Sequence, residues 1–202
     1  MSETYFTKEH AGQGPAAPTL VLLHGTGGDE NQFFNLGRQL LPQARLVAIR
    51  GDVSEGGALR YFRRTGEGVY DMDDLAVRTE KMAGFLKGLK SDGPLIGLGY
   101  SNGANILASV MMAHPELIDA SVLMHPLIPW TPEPVEGLAE RDVLITAGRR
   151  DPICPAPLTQ ALADWFGAQG AATKIAWHEG GHEIVQAELA ATAEFLADFN
   201  HG

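Results

Sequence analysis

Gly99-Tyr100-Ser101-Asn102-Gly103 constrains this chain more than any other stretch. It reads G-x-S-x-G, directly after the apolar run 94–98 and directly before the small-residue helical pattern 104–112. Strand, sharp turn and helix in that order put a serine at the apex of a strained turn. Its hydroxyl then projects at the top of a sheet. Bulky neighbours two places away on either side are not tolerated there, and Gly99 and Gly103 meet that demand.

The flanking chain repeats the theme. Short apolar runs at 19–24, 45–49, 94–98, 120–124, 143–147 and 173–177 read as buried strands. Helical patterns separate them. Leu75, Met82, Phe85, Leu86 and Leu89 share one face, as do Val185, Leu189, Leu196 and Phe199 in the last helix. Tyr5-Phe6-Thr7 reads as an added edge strand. This alternation predicts an α/β fold, with a mostly parallel central sheet and helices on both faces. The 202 residues suffice for a single domain over 1–202 with a sizeable core. The proline-rich segment 126–137 reads as an ordered surface loop, because strands resume after it. The connection after Met124 is too short for a helical cap domain, so no lid is expected.

A serine hydroxyl needs a base within hydrogen-bond reach, and that base needs a carboxylate to orient it. Loops after two later strands nominate both. Asp151 follows the strand 143–147, and His182 follows the strand 173–177. The carboxyl ends of parallel strands line one crevice, so Ser101, Asp151 and His182 should converge there in the chain order of α/β hydrolases. Asp52, Asp71, Asp73 and Asp74 precede the serine and would need another order. The backbone N–H groups of Asn102 and of Thr26, in the glycine-rich loop 24–29, are the candidate oxyanion donors.

The segments 22–30, 99–105, 148–154 and 180–183 resemble the phospholipase/carboxylesterase family of α/β hydrolases, which includes acyl-protein thioesterases. The resemblance is closest to a bacterial carboxylesterase subgroup linked to hydroquinone resistance. That subgroup carries Ser-Asn-Gly-Ala-Asn where the thioesterases have glutamine at the position of Asn102. Arg60-Tyr61-Phe62-Arg63-Arg64 also resembles it. The resemblance implies an esterase without a cofactor and supports the same three residues.

Other residues carry blander readings. His24 reads as a brace for the oxyanion loop, His125 as a loop brace, His178 as a strand residue and Cys154 as a small buried side chain. Two readings stand for Arg60, Arg63 and Arg64. Either they pair with surface carboxylates, or one lies at the pocket mouth and attracts an anionic substrate group. Tyr61 and Phe62 are candidates for one apolar pocket wall, and Leu127, Ile128 and Trp130 for another, although packing explains these apolar side chains almost as well. His182-Glu183 lacks the second histidine of a zinc-protease helix, and the loop 25–30 has Glu30 where a dinucleotide fingerprint wants its third glycine and contains no Gly-Lys-Ser/Thr. No metal is expected.

A net charge of −10 disfavours nucleic acid as a partner. No apolar run approaches the roughly 20 residues of a membrane span. One cysteine and an N-terminus without a leader pattern point to the cytoplasm. The expectation is a serine carboxylesterase for small or short-acyl esters, monomeric or homodimeric. A thioesterase or lysophospholipase on the same triad is the nearer alternative. A non-catalytic binding protein of the same fold is the further one.

Overall fold

Leucine, valine and isoleucine runs bounded by turns form the inner strands, and these sit where both faces are covered. The computed structural model describes residues 4–200. Residues 1–3, part of the stretch read as lacking a leader, lie outside the described residues. The chain runs β1 (Thr7–His10), β2 (Thr19–Leu23), α1 (Phe34–Leu40), β3 (Arg45–Ile49), β4 (Val53–Glu55), β5 (Ala58–Arg60), β6 (Arg64–Gly66) and β7 (Val69–Tyr70). It continues through α2 (Met72–Lys87), β8 (Leu95–Tyr100), α3 (Asn102–Ala113), β9 (Ala120–Met124), β10 (Asp142–Gly148), α4 (Ala156–Ala168), β11 (Ala172–His178) and α5 (Gln186–Ala197).

Seven strands form one sheet in the order β1-β3-β2-β8-β9-β10-β11, and two small hairpins, β4–β5 and β6–β7, stand apart from it. All pairings in the large sheet are parallel except β1 with β3. The order reverses at β2 and β8, and a crevice opens at such a switch point beyond the strand ends. Alternation along β2 splits the core. Val21 and Leu23 join the cluster under α2, α3 and α4, while Leu20 and Leu22 join the cluster under α1 and α5. Each such leucine, fully buried, contributes about 1.5–3 kcal/mol relative to exposure.

The edge strand departs from expectation. It spans Thr7–His10, not residues 5–7. Phe6 is 60% exposed, and Tyr5 packs edge-on against Phe85 of α2. The strand itself is polar and mostly exposed, so it carries no apolar signal. The last helix also differs. Its fully buried positions are Glu188, Thr192 and Leu196, a face two-thirds polar. The segment between β9 and β10 holds no helix or strand, and among the described residues no lid covers the sheet.

Candidate active site

Ser101 sits between β8 and α3 with φ 52° and ψ −115°. This left-handed backbone costs a non-glycine residue about 1–3 kcal/mol, and the surrounding packing must hold it. Two glycines make the turn possible. A Cβ on Gly99 would lie 2.5 Å from the Gly103 carbonyl oxygen, and one on Gly103 would lie 2.5 Å from that of Leu23. The Ser101 amide donates to the Met124 carbonyl at 2.8 Å, which ties the turn to β9.

His182 Nε2 lies 3.0 Å from Ser101 Oγ, and His182 Nδ1 lies 2.8 Å from Asp151 Oδ2. Tyr100, the residue before the serine, steadies the imidazole. Its ring centroid lies 5.4 Å from that of His182, and its hydroxyl donates to the His182 carbonyl at 2.7 Å. Asp151 is buried and takes four donors. Oδ1 accepts from the Ile153 and Cys154 amides, and Oδ2 accepts from His182 and from His125 Nδ1 at 2.9 Å. Burial pushes the Asp151 carboxyl up, but these hydrogen bonds outweigh it and hold it below the ordinary aspartate value.

His24 and Thr26 follow β2. His24 Nε2 accepts from the Gly51 amide at 2.8 Å, and Nδ1 lies 2.7 Å from the Gly25 carbonyl, so a neutral ring satisfies both contacts. Burial holds this imidazole below its usual value. Arg60 Nη1 donates to Thr26 Oγ1 at 2.8 Å, and the Gly27 amide donates to the Leu59 carbonyl at 3.0 Å. Asn102 opens α3, where the first amides lack intrahelical partners. Its side-chain oxygen accepts from the Tyr61 amide at 2.7 Å. A cavity of about 250 Å³ opens over Ser101, bordered by Thr26, Asn102 and His182 and walled by Arg60, Arg64, Glu67, Tyr70, Leu127 and Ile153.

The sequence pattern of the dienelactone hydrolase family matches residues 60–191. The chain belongs to the dienelactone hydrolase family. It is a hydrolase of the dienelactone hydrolase/carboxylesterase type. The hydrolase-named MhqD of Bacillus subtilis is 36% identical over 191 residues, covering 92% of this chain and 96% of that protein. A protein of unknown function from Agrobacterium tumefaciens is 57% identical with a TM-score of 0.94, covering 98% of this chain and 99% of its own. A Bacillus cereus carboxylesterase is 30% identical with a TM-score of 0.92, covering 98% and 96%. The resemblance read in the motifs agrees with these relatives.

For this dienelactone hydrolase family member, the structure divides the expected pocket residues. Arg60 and Leu127 border the cavity. Tyr61, Phe62, Arg63, Ile128 and Trp130 do not. Tyr61 and Phe62 are fully buried, and the Tyr61 hydroxyl accepts from the His24 amide and donates to the Ile49 carbonyl. Arg63 turns outward onto Asp71 and Asp74. Ile128 and Trp130 face a separate hollow beside Leu158 and Trp165. Arg60 is itself buried, 3% exposed, and bonds the Phe62 carbonyl, while its Nε pairs with the exposed Glu55 at 3.4 Å. Arg64 pairs with Glu55 and Glu67.

Tyr70, Glu67 and Glu188 carry no motif, and sequence reasoning passed over them; Asn105 closes the quoted segment 99–105 but was given no role. Asn105 Nδ2 donates to the Tyr70 hydroxyl at 2.8 Å and Oδ1 accepts from the Leu127 amide at 2.7 Å, joining the β6–β7 hairpin to the loop after β9. Asn105 was visible as a polar residue within the mostly apolar helix after the serine. Among the described residues, two groups, His125/Asp151/His182 and His125/His178/Glu188, bring potential metal-ligand atoms within 4.8 Å of one another. Their closest contacts, 2.8–3.2 Å, have the length of N–H···O contacts.

Proposed function

We propose that the chain is a serine carboxylesterase acting through Ser101, His182 and Asp151. The observation that carries this reading is the 3.0 Å and 2.8 Å chain from Ser101 Oγ through His182 to Asp151. Ser101 Oγ attacks the ester carbonyl carbon while His182 Nε2 takes the hydroxyl proton. Asp151 fixes the tautomer and stabilises the imidazolium. The amides of Thr26 and Asn102 stabilise the oxyanion. Collapse breaks the bond to the alcohol oxygen, which leaves with the proton from His182, and an acyl-Ser101 ester remains. Water then attacks that ester, giving its proton to His182. The second collapse releases the acid and returns the proton to Ser101.

The cavity supports small or short-acyl esters. Its 250 Å³ lies below the roughly 300–1,000 Å³ of common ligand pockets, and Arg60, Arg64 and Glu67 make its wall polar. A p-nitrophenyl ester series tests this: acetate and butyrate should turn over faster than long-chain esters. Better turnover of the long chains would refute the size argument. Ser101→Ala should lower kcat by at least about 10³-fold while the protein stays folded, and a fluorophosphonate should label the wild type at Ser101 only.

A further inference from the structure

We propose that His125 is a buried imidazolium, clamped between Asp151 and Glu188, that keeps His182 unprotonated further into acid than an isolated aspartate partner would. His125 is a positioning residue: it touches the Asp151 oxygen that His182 uses. The inference rests on the triad reading above.

Geometry argues for the charge. His125 Nδ1 lies 2.9 Å from Asp151 Oδ2 and Nε2 lies 2.9 Å from Glu188 Oε1. The Glu188 contact is off the N–H axis, so it is an ion pair and not an aligned hydrogen bond. A neutral imidazole has one N–H, so with Nδ1–H given to Asp151 its Nε2 would lie unprotonated at contact distance from a second carboxylate, with nothing to offset the repulsion. Neither carboxylate is placed to supply the missing proton. Asp151 accepts four hydrogen bonds. Glu188 accepts from Thr146 Oγ1 at 2.6 Å and from the Val185 amide at 2.9 Å. All three side chains are at most 1% exposed, and buried charges persist only when paired.

The remaining neighbours do not change this balance. His178, closing β11, has its ring centroid 5.5 Å away, with Nε2 3.2 Å from Glu188 Oε2. Tyr100, closing β8, lies 5.8 Å away. Cys154, in the loop after β10, donates its thiol to the His125 carbonyl. Burial pushes the His125 imidazole down, but Glu188 and then Asp151 outweigh it and leave it above its ordinary value.

The consequence follows from charge. The His125 and His182 ring centroids are 5.1 Å apart. A proton arriving on His182 meets this cation and gains less from Asp151.

Two measurements test the inference. Imidazole NMR on the intact protein should find both His125 nitrogens protonated at pH 7, where an ordinary imidazole has mostly lost one proton. A neutral His125 at pH 7 overturns the proposal. The kcat/KM profile of His125→Gln should have its acid limb moved up by about one pH unit or more, because two carboxylates then face His182 without the cation. An unmoved limb in a folded variant also overturns it, since a merely structural brace would change rate and not the limb. If His125→Gln does not fold, the NMR result alone decides. An active Ser101→Ala would mean that the triad reading itself had failed. An inactive Ser101→Ala with an unmoved limb would sink only the role of His125.

Discussion

Tyr61 is a single side chain holding two strand ends together. Its hydroxyl accepts from the His24 amide at 2.9 Å and donates to the Ile49 carbonyl at 2.8 Å, while its own amide donates to Asn102 Oδ1. Tyr61→Phe keeps the volume and leaves two buried polar groups unpaired. It should destabilise the protein by about 1–3 kcal/mol in urea unfolding. A loss within error would mean that water replaces the hydroxyl. Tyr61 also marks where sequence reading ends. Ser101, Asp151 and His182 stood out because each sits in a turn of definite composition after a strand. Arg60-Tyr61-Phe62-Arg63-Arg64 has no period, so nothing in it says that Arg60, Tyr61 and Phe62 point inward and Arg63 outward. His125 and Glu188 were hidden for another reason. Their chemistry exists only as a pair of contacts between a strand end and a helix far apart in the chain.

At the scale of elements, the β4–β5 hairpin is what holds the oxyanion loop. Leu59 accepts from Gly27, Arg60 donates to Thr26, and the next residue binds Asn102. One short hairpin thus ties down both candidate oxyanion donors. Arg60→Met removes the tie to Thr26 but keeps an apolar stem in a buried slot. It should lower kcat by about tenfold, less than the loss of a donor itself, with KM changed little. A tenfold rise in KM at unchanged kcat would instead assign Arg60 to substrate binding. The main strands were legible to within two residues because buried parallel strands are continuous apolar runs. The hairpins were not, because two- and three-residue strands give no alternation to count. Gly56-Gly57 was the available turn signal, and both residues have positive φ. The buried face of α5 misled for a related reason: Glu188 and Thr192 are polar residues turned toward the sheet, and periodicity counts only apolar ones.

Across the whole molecule, the buried ionisable groups set a pH window for stability. Asp151, Glu188 and Glu30 lie below their ordinary values in the folded state: burial raises the first two, but their hydrogen bonds prevail, and Arg50 holds Glu30. Their contribution is present above the ordinary 3.8 and 4.5 and is lost as pH falls through the folded values. His24 is held low by burial, so its neutral form favours folding above 6.5, and that preference is lost as pH falls below it. His125 has the opposite sign. Its folded value is raised, so its contribution is complete below 6.5 and fades as pH rises through the folded value. A melting series from about pH 4 to 9 should therefore give a plateau bounded on both sides, with the acid fall steepest where the carboxylates titrate. The alkaline decline belongs to His125 and should flatten in His125→Gln, whatever that variant's melting temperature at neutral pH. An alkaline slope identical in the two proteins would assign the decline to other groups. It would also remove the thermodynamic counterpart of the charge that the site geometry requires.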